Sequence, residues 1–507
     1  MIRRRDLIIF AAAIIGVIFY VIAAGANGFP LDDSWIHQTY ARNLASLGYF
    51  TYAPPYAPSA GSTSPLYTLL LAIGHGLHLP YLAWTYGLGA LALALLGIIG
   101  AHLAERLYPE LEERGVGLIT GLALVMAWHL VWAASSGMET VLFSLFSLLV
   151  IALIWVEKEA EGNGHLGRGA LFGVTAGALI ATRPDGALLL ALAGLFAVIA
   201  PPPRSRRGLL LWMAGAAIGF TVAIAPYLTL NYSLNHTLVP NTAAAKQAEN
   251  SFALSFGFPA NFAAMIQPLA AGGQLLVIPG AIVTLVRVAR QIRGDRRAVL
   301  FLLPLGWAFA HIALYAALLP APYQHGRYVI PALPPFLVFG VGGMVSLIST
   351  RRVSRWGRVL VRSLVLTALG VFLIFWYRGA GVFAQDVGLI QSDMVAASRW
   401  LAANIPADGL LAVHDIGAVG YFAPRPMIDI AGLITPEIVP AIRRFASGDL
   451  GAYKPFLRDH GAAYLMVLEN QWPDPDHDPD LCLLYNAHGG MGGMRVYRIT
   501  WGQPCMP

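Results

Sequence analysis

Long apolar runs alternate with short polar breaks along this chain, at a spacing that reads as membrane-spanning helices. A spanning helix needs about 20 apolar residues. Candidate runs cover 7–26, part of 66–104, 116–135, 140–156, 169–182, 186–200, 208–230, 263–286, 298–319, 328–350 and 359–377, which predicts about eleven spans. The 66–104 stretch is too long for one helix, so its first part, from Leu66 to Leu79, is expected to be partly embedded, ahead of a full crossing. From about Gly379 the pattern changes. Short strand-like runs at 410–413 and 463–468 alternate with helical stretches at 393–403 and 453–460, among prolines and mixed charges. The expected architecture is mostly α: a polytopic membrane body over 1–378 and a small α/β domain over 379–507. No internal repeat of the inverted-transporter kind is visible.

Composition supports the membrane reading. Hydrophobic residues make up 57% of the 507 and charged residues 12%, against about 25% charged in soluble domains. The net charge of +6 does not point to nucleic acid, because no basic domain carries interleaved aromatics. The basic residues instead act as topology signals. With Arg3, Arg4 and Arg5 inside, the segments 105–114, 157–168, 201–207, 287–297 and 351–358 also fall inside. Together these hold 19 of the 33 Lys and Arg, whereas the opposite loops of the membrane body hold only Arg42, Arg183, Lys246 and Arg327. The first apolar run exceeds the roughly 7–15 residues of a signal-peptide core, so it is expected to be retained as a span. An odd number of spans then puts the C-terminal domain outside. The two cysteines, Cys482 and Cys505, lie in that domain, either bridged or as free thiols. The run 473–480 reads as a solvated acidic turn, with a calcium site as the lesser option.

The outer loops carry the candidate chemistry. The first, 27–65, contains Asp32-Asp33-Ser-Trp-Ile-His37-Gln-Thr-Tyr40. Asp33, His37 and Tyr40 share one face of an amphipathic helix at i, i+4 and i+7, with Leu31, Trp35, Tyr40, Leu44 and Leu47 expected against the membrane surface. One aspartate suffices to cap a helix; two at a membrane edge point to chemistry. Later tips bring Glu139, then Arg183 with Asp185, then Asn241 with Lys246, then His325, Arg327 and Tyr328. Each has a plain explanation: a helix-terminal carboxylate, a local ion pair, a solvated lysine, a snorkelling arginine. Taken together they gather carboxylates and cations on one membrane face. A carboxylate serves as a general base, and Arg and Lys hold phosphate. The combination suits transfer of a group carried on a lipid phosphate.

These motifs resemble a known family. Asp32-Asp33, Tyr40-Ala-Arg-Asn-Leu44 and Gly61-Ser-Thr-Ser-Pro65-Leu look like the first outer loop of membrane glycosyltransferases of the C superfamily, and most resemble its terminal arabinofuranosyltransferase-like branch. Ser136-Gly-Met-Glu-Thr140, Thr182-Arg-Pro-Asp-Gly186, Pro240-Asn-Thr with Lys246, and Arg327-Tyr328 are similar to later motifs of that branch, in the same order. His414-Asp415-Ile-Gly417-Ala-Val-Gly-Tyr421 and Ile428-Asp429-Ile-Ala-Gly432-Leu resemble its C-terminal domain.

The resemblance implies a polyprenyl-phosphate sugar donor, inverting transfer to a hydroxyl of a glycan, lipid or protein acceptor, and an acidic base in the first outer loop. On that footing Asp32 is the expected base with Asp33 in support. Arg327, Lys246 and Arg183 are expected at the donor phosphate. Glu139, His37, Tyr40, Asn241, His325, Tyr328 and Asp185 are expected to bind substrate. No metal is required, although a divalent ion bridging Asp32 and Asp33 is an option. The expected setting is the cytoplasmic membrane, with the site on the far side. The alternative is a transporter or flippase, which would place its charges near the bilayer midplane.

Overall fold

The computed structural model describes residues 3–505 apart from 26, 60, 161–164, 204, 236, 238–245, 249, 351–354 and 488–491. Apolar side chains clothe helices whose backbone hydrogen bonds close internally, the arrangement a bilayer demands of any spanning segment. Among the described residues, eight helices are long and apolar enough to cross a membrane. One bent pair, Val116–Met126 with Trp128–Ser135, passes the same test as a broken span, and Leu166–Thr182 and Pro184–Ile199 are shorter apolar helices. The eleven runs thus appear in three forms. The 66–104 region divides as expected, into a short helix Pro65–Gly76 and a long one Tyr81–Leu107.

Two runs differ from the expectation of continuous helix. The 116–135 run bends by 56° at Ala127, whose backbone is extended. Neither Pro nor Gly marks the spot. The bend is held from outside, by the Trp128 indole donating to the Ala271 carbonyl at 2.7 Å and by His129 at 2.9 Å from the Pro268 carbonyl. The 263–286 run is two helices, Phe258–Ala270 and Ile278–Gly294, separated where Gly272 takes a φ of +133°. Elsewhere small residues let helices touch. Leu166–Thr182 and Arg206–Asn235 approach so closely that a Cβ on Gly169 would meet the Trp212 carbonyl oxygen at 2.0 Å, the small-residue contact typical of membrane helix pairs.

The apolar stripe of the loop helix Asp33–Leu47 is covered by protein. Trp35 and Tyr40 are wholly buried and Leu31 nearly so, because the helix packs between Pro65–Gly76 and the C-terminal helix Ile416–Phe422. Its apolar stripe therefore faces protein, with Leu47 exposed at its end.

No chain break marks residue 379. The helix Arg355–Ile390 runs through it for 36 residues, about 54 Å at 1.5 Å per residue. That exceeds a hydrocarbon core of about 30 Å, so the helix carries the chain out of the membrane body and, through a π-helical turn, into Ala396–Asn404. A five-stranded sheet follows, with strands β1 (Leu411–Val413), β2 (Met427–Asp429), β3 (Tyr464–Leu468), β4 (Leu481–Asn486) and β5 (Met494–Ile499) in the order β2-β1-β3-β5-β4. β1 pairs parallel with β2 and β3, and β5 antiparallel with β3 and β4. Cys482 and Cys505 form a disulfide. The acidic run 473–480 finds its counter-charges within the protein: Lys454 bridges Asp478 and Asp480, and Arg495 meets Asp476.

Candidate active site

Asp33 opens the loop helix Asp33–Leu47 and Asp32 stands just before it, at a cap position where neither side chain caps. The two carboxylates engage different partners. Asp33 Oδ2 accepts from Arg327 Nη2 at 2.5 Å. Asp32 turns to the C-terminal domain, where its oxygens accept from the backbone N–H groups of Gly417 (2.6 Å) and Ala418 (2.8 Å). With Asp32 held by amides and Asp33 by a guanidinium, the pair does not fit a bridging divalent ion in this arrangement. Among the described residues no group of three or more His, Cys, Asp or Glu is set to hold a metal.

Two cavities meet at Asp33, Arg327 and Lys246. One, of about 230 Å³, is lined also by His37, Glu139, Arg183, Asp185, Tyr315 and Tyr328, with Ile36, Met138 and Leu319 as apolar wall. The other, of about 390 Å³, opens toward the C-terminal domain and is lined also by Asp32, Trp132, His325, Asp386, His414, Asp415 and Gln471.

The two arginines of the first cavity are used differently. Arg183 is engaged at all three nitrogens. It donates to Glu139 (3.3 Å), to Asp185 (3.1 Å) and to the Tyr315 hydroxyl. The ion pair with Asp185 expected from sequence exists, as one arm of this larger network. Arg327 is only 4% exposed. Its Nη2 serves Asp33 and the Tyr328 hydroxyl, while Nε and Nη1 have no hydrogen-bond partner among the described residues. A buried donor left unmade costs about 1–3 kcal/mol, more when charged. Such a group is poised for an anion.

Electrostatics separates the two aspartates. Burial alone would raise Asp33, but Arg327 and Lys246 outweigh it and hold the carboxyl well below its usual range. Asp32 goes the other way. Burial, then the nearby charge of Asp415, pushes it up to about 8, against the lowering effect of the two amide hydrogen bonds. Glu139 is buried too, yet His37 and Arg183 bring it down to about 2; His37 Nε2 stands 3.3 Å from its Oε2.

The remaining expected residues divide. His37, Glu139, Asp185 and Tyr328 line the first cavity, His325 the second, and Lys246 both. Tyr40 points away from both. It is buried, and its hydroxyl is 2.8 Å from Ser59. Asn241 lies outside the described residues. Sequence reasoning assigned no site role to Asp386, although His325 and the Trp132 indole both sit 2.8 Å from its Oδ2. Asp386 lies past the apolar run 359–377, in the stretch read as the start of the C-terminal domain, on the helix Arg355–Ile390 that continues through it. Gln324 and His325 also adopt consecutive left-handed conformations, φ +53° and +59°, a cost of about 1–3 kcal/mol each that clusters at functional sites. The motif at 414–421 was visible in sequence, but not that its amides reach Asp32.

The C-terminal part of the chain, residues 382–500, matches a family model described as a domain of unknown function (DUF8728). No curated protein matches the chain. Solved structures do. ArnT from Cupriavidus metallidurans bound to undecaprenyl phosphate is similar with a TM-score of 0.56 at 14% identity, over 97% of each chain, and its apo state with a TM-score of 0.59 at 14% identity, over 97% of each. The archaeal oligosaccharyltransferase AglB from Archaeoglobus fulgidus, in complex with an inhibitory peptide and a dolichol-phosphate, is similar with a TM-score of 0.55 at 11% identity, over 90% of this chain and 69% of that one. The fold is therefore that of the polytopic membrane glycosyltransferases to which the sequence motifs pointed. At such identities the likeness establishes the fold alone.

Proposed function

We propose that this chain is an integral membrane glycosyltransferase, one that moves a sugar from a polyprenyl phosphate to an acceptor hydroxyl with inversion at the anomeric carbon. The observation that carries the reading is Arg327: a buried guanidinium with two nitrogens that have no hydrogen-bond partner among the described residues, beside Lys246 and opposite an acidic pair, where two cavities meet. The neighbours support it, since one is described as bound to undecaprenyl phosphate and another to a dolichol-phosphate.

In this reading the first cavity takes the donor phosphate and sugar, and the second admits the acceptor. Arg327 and Lys246 neutralise the leaving phosphate, Arg by its fork and Lys as a point charge. Arg183, engaged by Glu139, Asp185 and Tyr315 at all three nitrogens, builds the wall instead. Asp32 accepts the acceptor's hydroxyl proton as the new C–O bond forms and the C–O bond to phosphate breaks. Two carboxylates whose environments drive them apart mark a division of labour. Asp33, held down by Arg327, is a poor base and a good anchor. Asp32, held up, is the stronger base once ionised. General-base assistance is worth about 10²–10⁴-fold. Glu139, ionised and fixed by His37 and Arg183, is placed to accept hydrogen bonds from sugar hydroxyls.

The distribution of basic residues supports a site on the face away from the cytoplasm of the cytoplasmic membrane, where lipid-linked donors replace nucleotide sugars. The arabinofuranosyltransferase-like motifs support a pentose or hexose donor. The transporter alternative gains nothing from the site, whose charged groups stand at the ends of helices.

The test is donor turnover. Purified chain and its Asp32→Ala variant are offered a panel of polyprenyl-phosphate sugars with a crude acceptor fraction, and release of polyprenyl phosphate is followed. Turnover lost in the variant is the expected outcome. Equal turnover in both removes Asp32 from the base role, and a parent that neither binds nor turns over any donor returns the reading to a transporter.

A further inference from the structure

The C-terminal domain approaches the loop helix more closely than packing alone needs. A Cβ on Gly417 would meet the backbone oxygen of Asp32 at 1.9 Å and its Oδ2 at 2.6 Å, so only glycine permits this contact. The approach brings two N–H groups onto one carboxylate. It also sets Asp415 in the wall of the same cavity as Asp32. Asp415 is itself held in place, with Gln471 donating to Oδ2 at 2.6 Å and His414 Nδ1 3.3 Å from Oδ1. On the other side of the contact, the Tyr52 hydroxyl donates to the Ile416 carbonyl at 2.6 Å, and Arg42 donates to the carbonyls of Gly420 and Tyr421. The segment 416–421 is thus pinned to the first loop from three directions.

We propose that the C-terminal domain is a working part of the reaction centre: Gly417 and Ala418 hold the Asp32 carboxylate at the second cavity, and Asp415 acts on it through space as a positioning residue. The inference deepens the proposed activity and rests on it. It assigns a task to a domain whose family model carries none: a base in the membrane body is completed by groups that arrive from a separate domain. A carboxylate beside a like charge resists ionisation, and the same carboxylate given two amide donors favours it. The domain supplies both influences and so places the base in a working range. Among the described residues, the other titratable or charged groups around Asp32 are Asp33 on its own segment, Tyr52 in the first loop, Asp386 on the long helix, Tyr323, His325 and Arg327 on the 323–327 turn, Lys246, and His414. Asp415 outweighs Asp33 as a charge influence on Asp32.

Three variants of the full-length chain test the proposal: Asp415→Asn, Asp415→Glu and Gly417→Ala. The first readout needs no donor. The native state keeps the Asp32 proton over a range where the unfolded chain has released it, so the stability tied to that proton is full below about pH 4, is lost steadily as pH rises from there to about 8, and changes no further above. The melting temperature of the parent, taken relative to Asp32→Asn, is expected to fall between about pH 5 and about pH 8 and to level off above that. In Asp415→Asn the point of levelling-off moves acidward by about one pH unit, a tenfold change in proton affinity, and Asp415→Glu returns it toward the parent. The second readout is the pH midpoint of donor turnover, which moves the same way. Gly417→Ala, which drives the domain off Asp32, is expected to lower kcat more than 100-fold while donor-phosphate affinity stays within threefold. A pH course unmoved in Asp415→Asn, or parental kcat in Gly417→Ala, overturns the proposal even if the parent turns over donor. A moved course in a parent that turns over no donor supports the coupling and overturns the proposed activity instead.

Discussion

Arg327 and Asp33 form an ion pair at the wall shared by two cavities, 294 residues apart in the chain and 2.5 Å apart in space. The pair leaves two guanidinium nitrogens of Arg327 without a partner among the described residues. It therefore both neutralises a buried carboxylate and presents a cation to whatever anion enters.

Arg327→Ala is expected to weaken binding of undecaprenyl phosphate about 10–100-fold, the range of a charge-assisted hydrogen bond worth about 1.5–3 kcal/mol. Arg327→Lys recovers only part, since a point charge cannot span Asp33 and a phosphate at once. Titration of the detergent-solubilised chain with undecaprenyl phosphate checks this. Equal affinities for parent and Arg327→Ala would remove Arg327 from the phosphate site.

Donor turnover is expected to rise with pH and level off above about 8. The sign follows from the role: Asp32 must be unprotonated to accept a proton, and its raised value keeps it protonated at neutral pH. Asp32→Asn should flatten the profile and lower kcat about 10²–10⁴-fold. A rate that falls across pH 6–8 would contradict the assignment.

Arg183→Ala takes a shared guanidinium from buried Glu139 and half-buried Asp185, leaving them His37 and the Tyr315 hydroxyl as partners. Breaking a buried pair from one side costs about 3–5 kcal/mol. We expect the melting temperature to drop sharply, and Arg183→Ala with Glu139→Gln to recover part of it. A single variant as stable as the parent would show that water or lipid replaces the guanidinium.

The Cys482–Cys505 bridge closes a loop with a sequence separation of 23, a constraint on the unfolded chain of about 3 kcal/mol. Reduction, or Cys482→Ser, should lower the unfolding temperature of the C-terminal domain while leaving the membrane helices in place. Proteolysis of the tail with and without reductant reads the effect.

Much of the architecture was legible because membrane burial acts on the chain locally. Twenty apolar residues in a row make a span whatever surrounds them. Even the weak region 66–104 divided where its length demanded. The misreadings lie where partners from elsewhere decide. Nothing at Ala127 announces a bend, because the groups that hold it, the carbonyls of Ala271 and Pro268, sit over 100 residues away. The amphipathic stripe of Asp33–Leu47 suggested a membrane surface, but an apolar face does not say whether lipid or protein will cover it. Here the helix Ile416–Phe422 does.

The site divides the same way. Residue type and placement at span ends mark Asp32, Asp33, Glu139, Arg183, Lys246 and Arg327, because charged groups beside a bilayer are costly wherever they stand. How fully each is engaged could be settled only in three dimensions. Arg183 and Arg327 are alike in sequence context; the first is engaged at all three nitrogens, and the second has two nitrogens with no partner among the described residues. Asp32 and Asp33 are neighbours in the chain yet shift in opposite directions: burial and then Asp415 raise the first, while Arg327 and Lys246 outweigh burial and lower the second. Charge type is a property of the residue. Proton affinity and hydrogen-bond saturation are properties of its neighbours, and those the fold alone brings together.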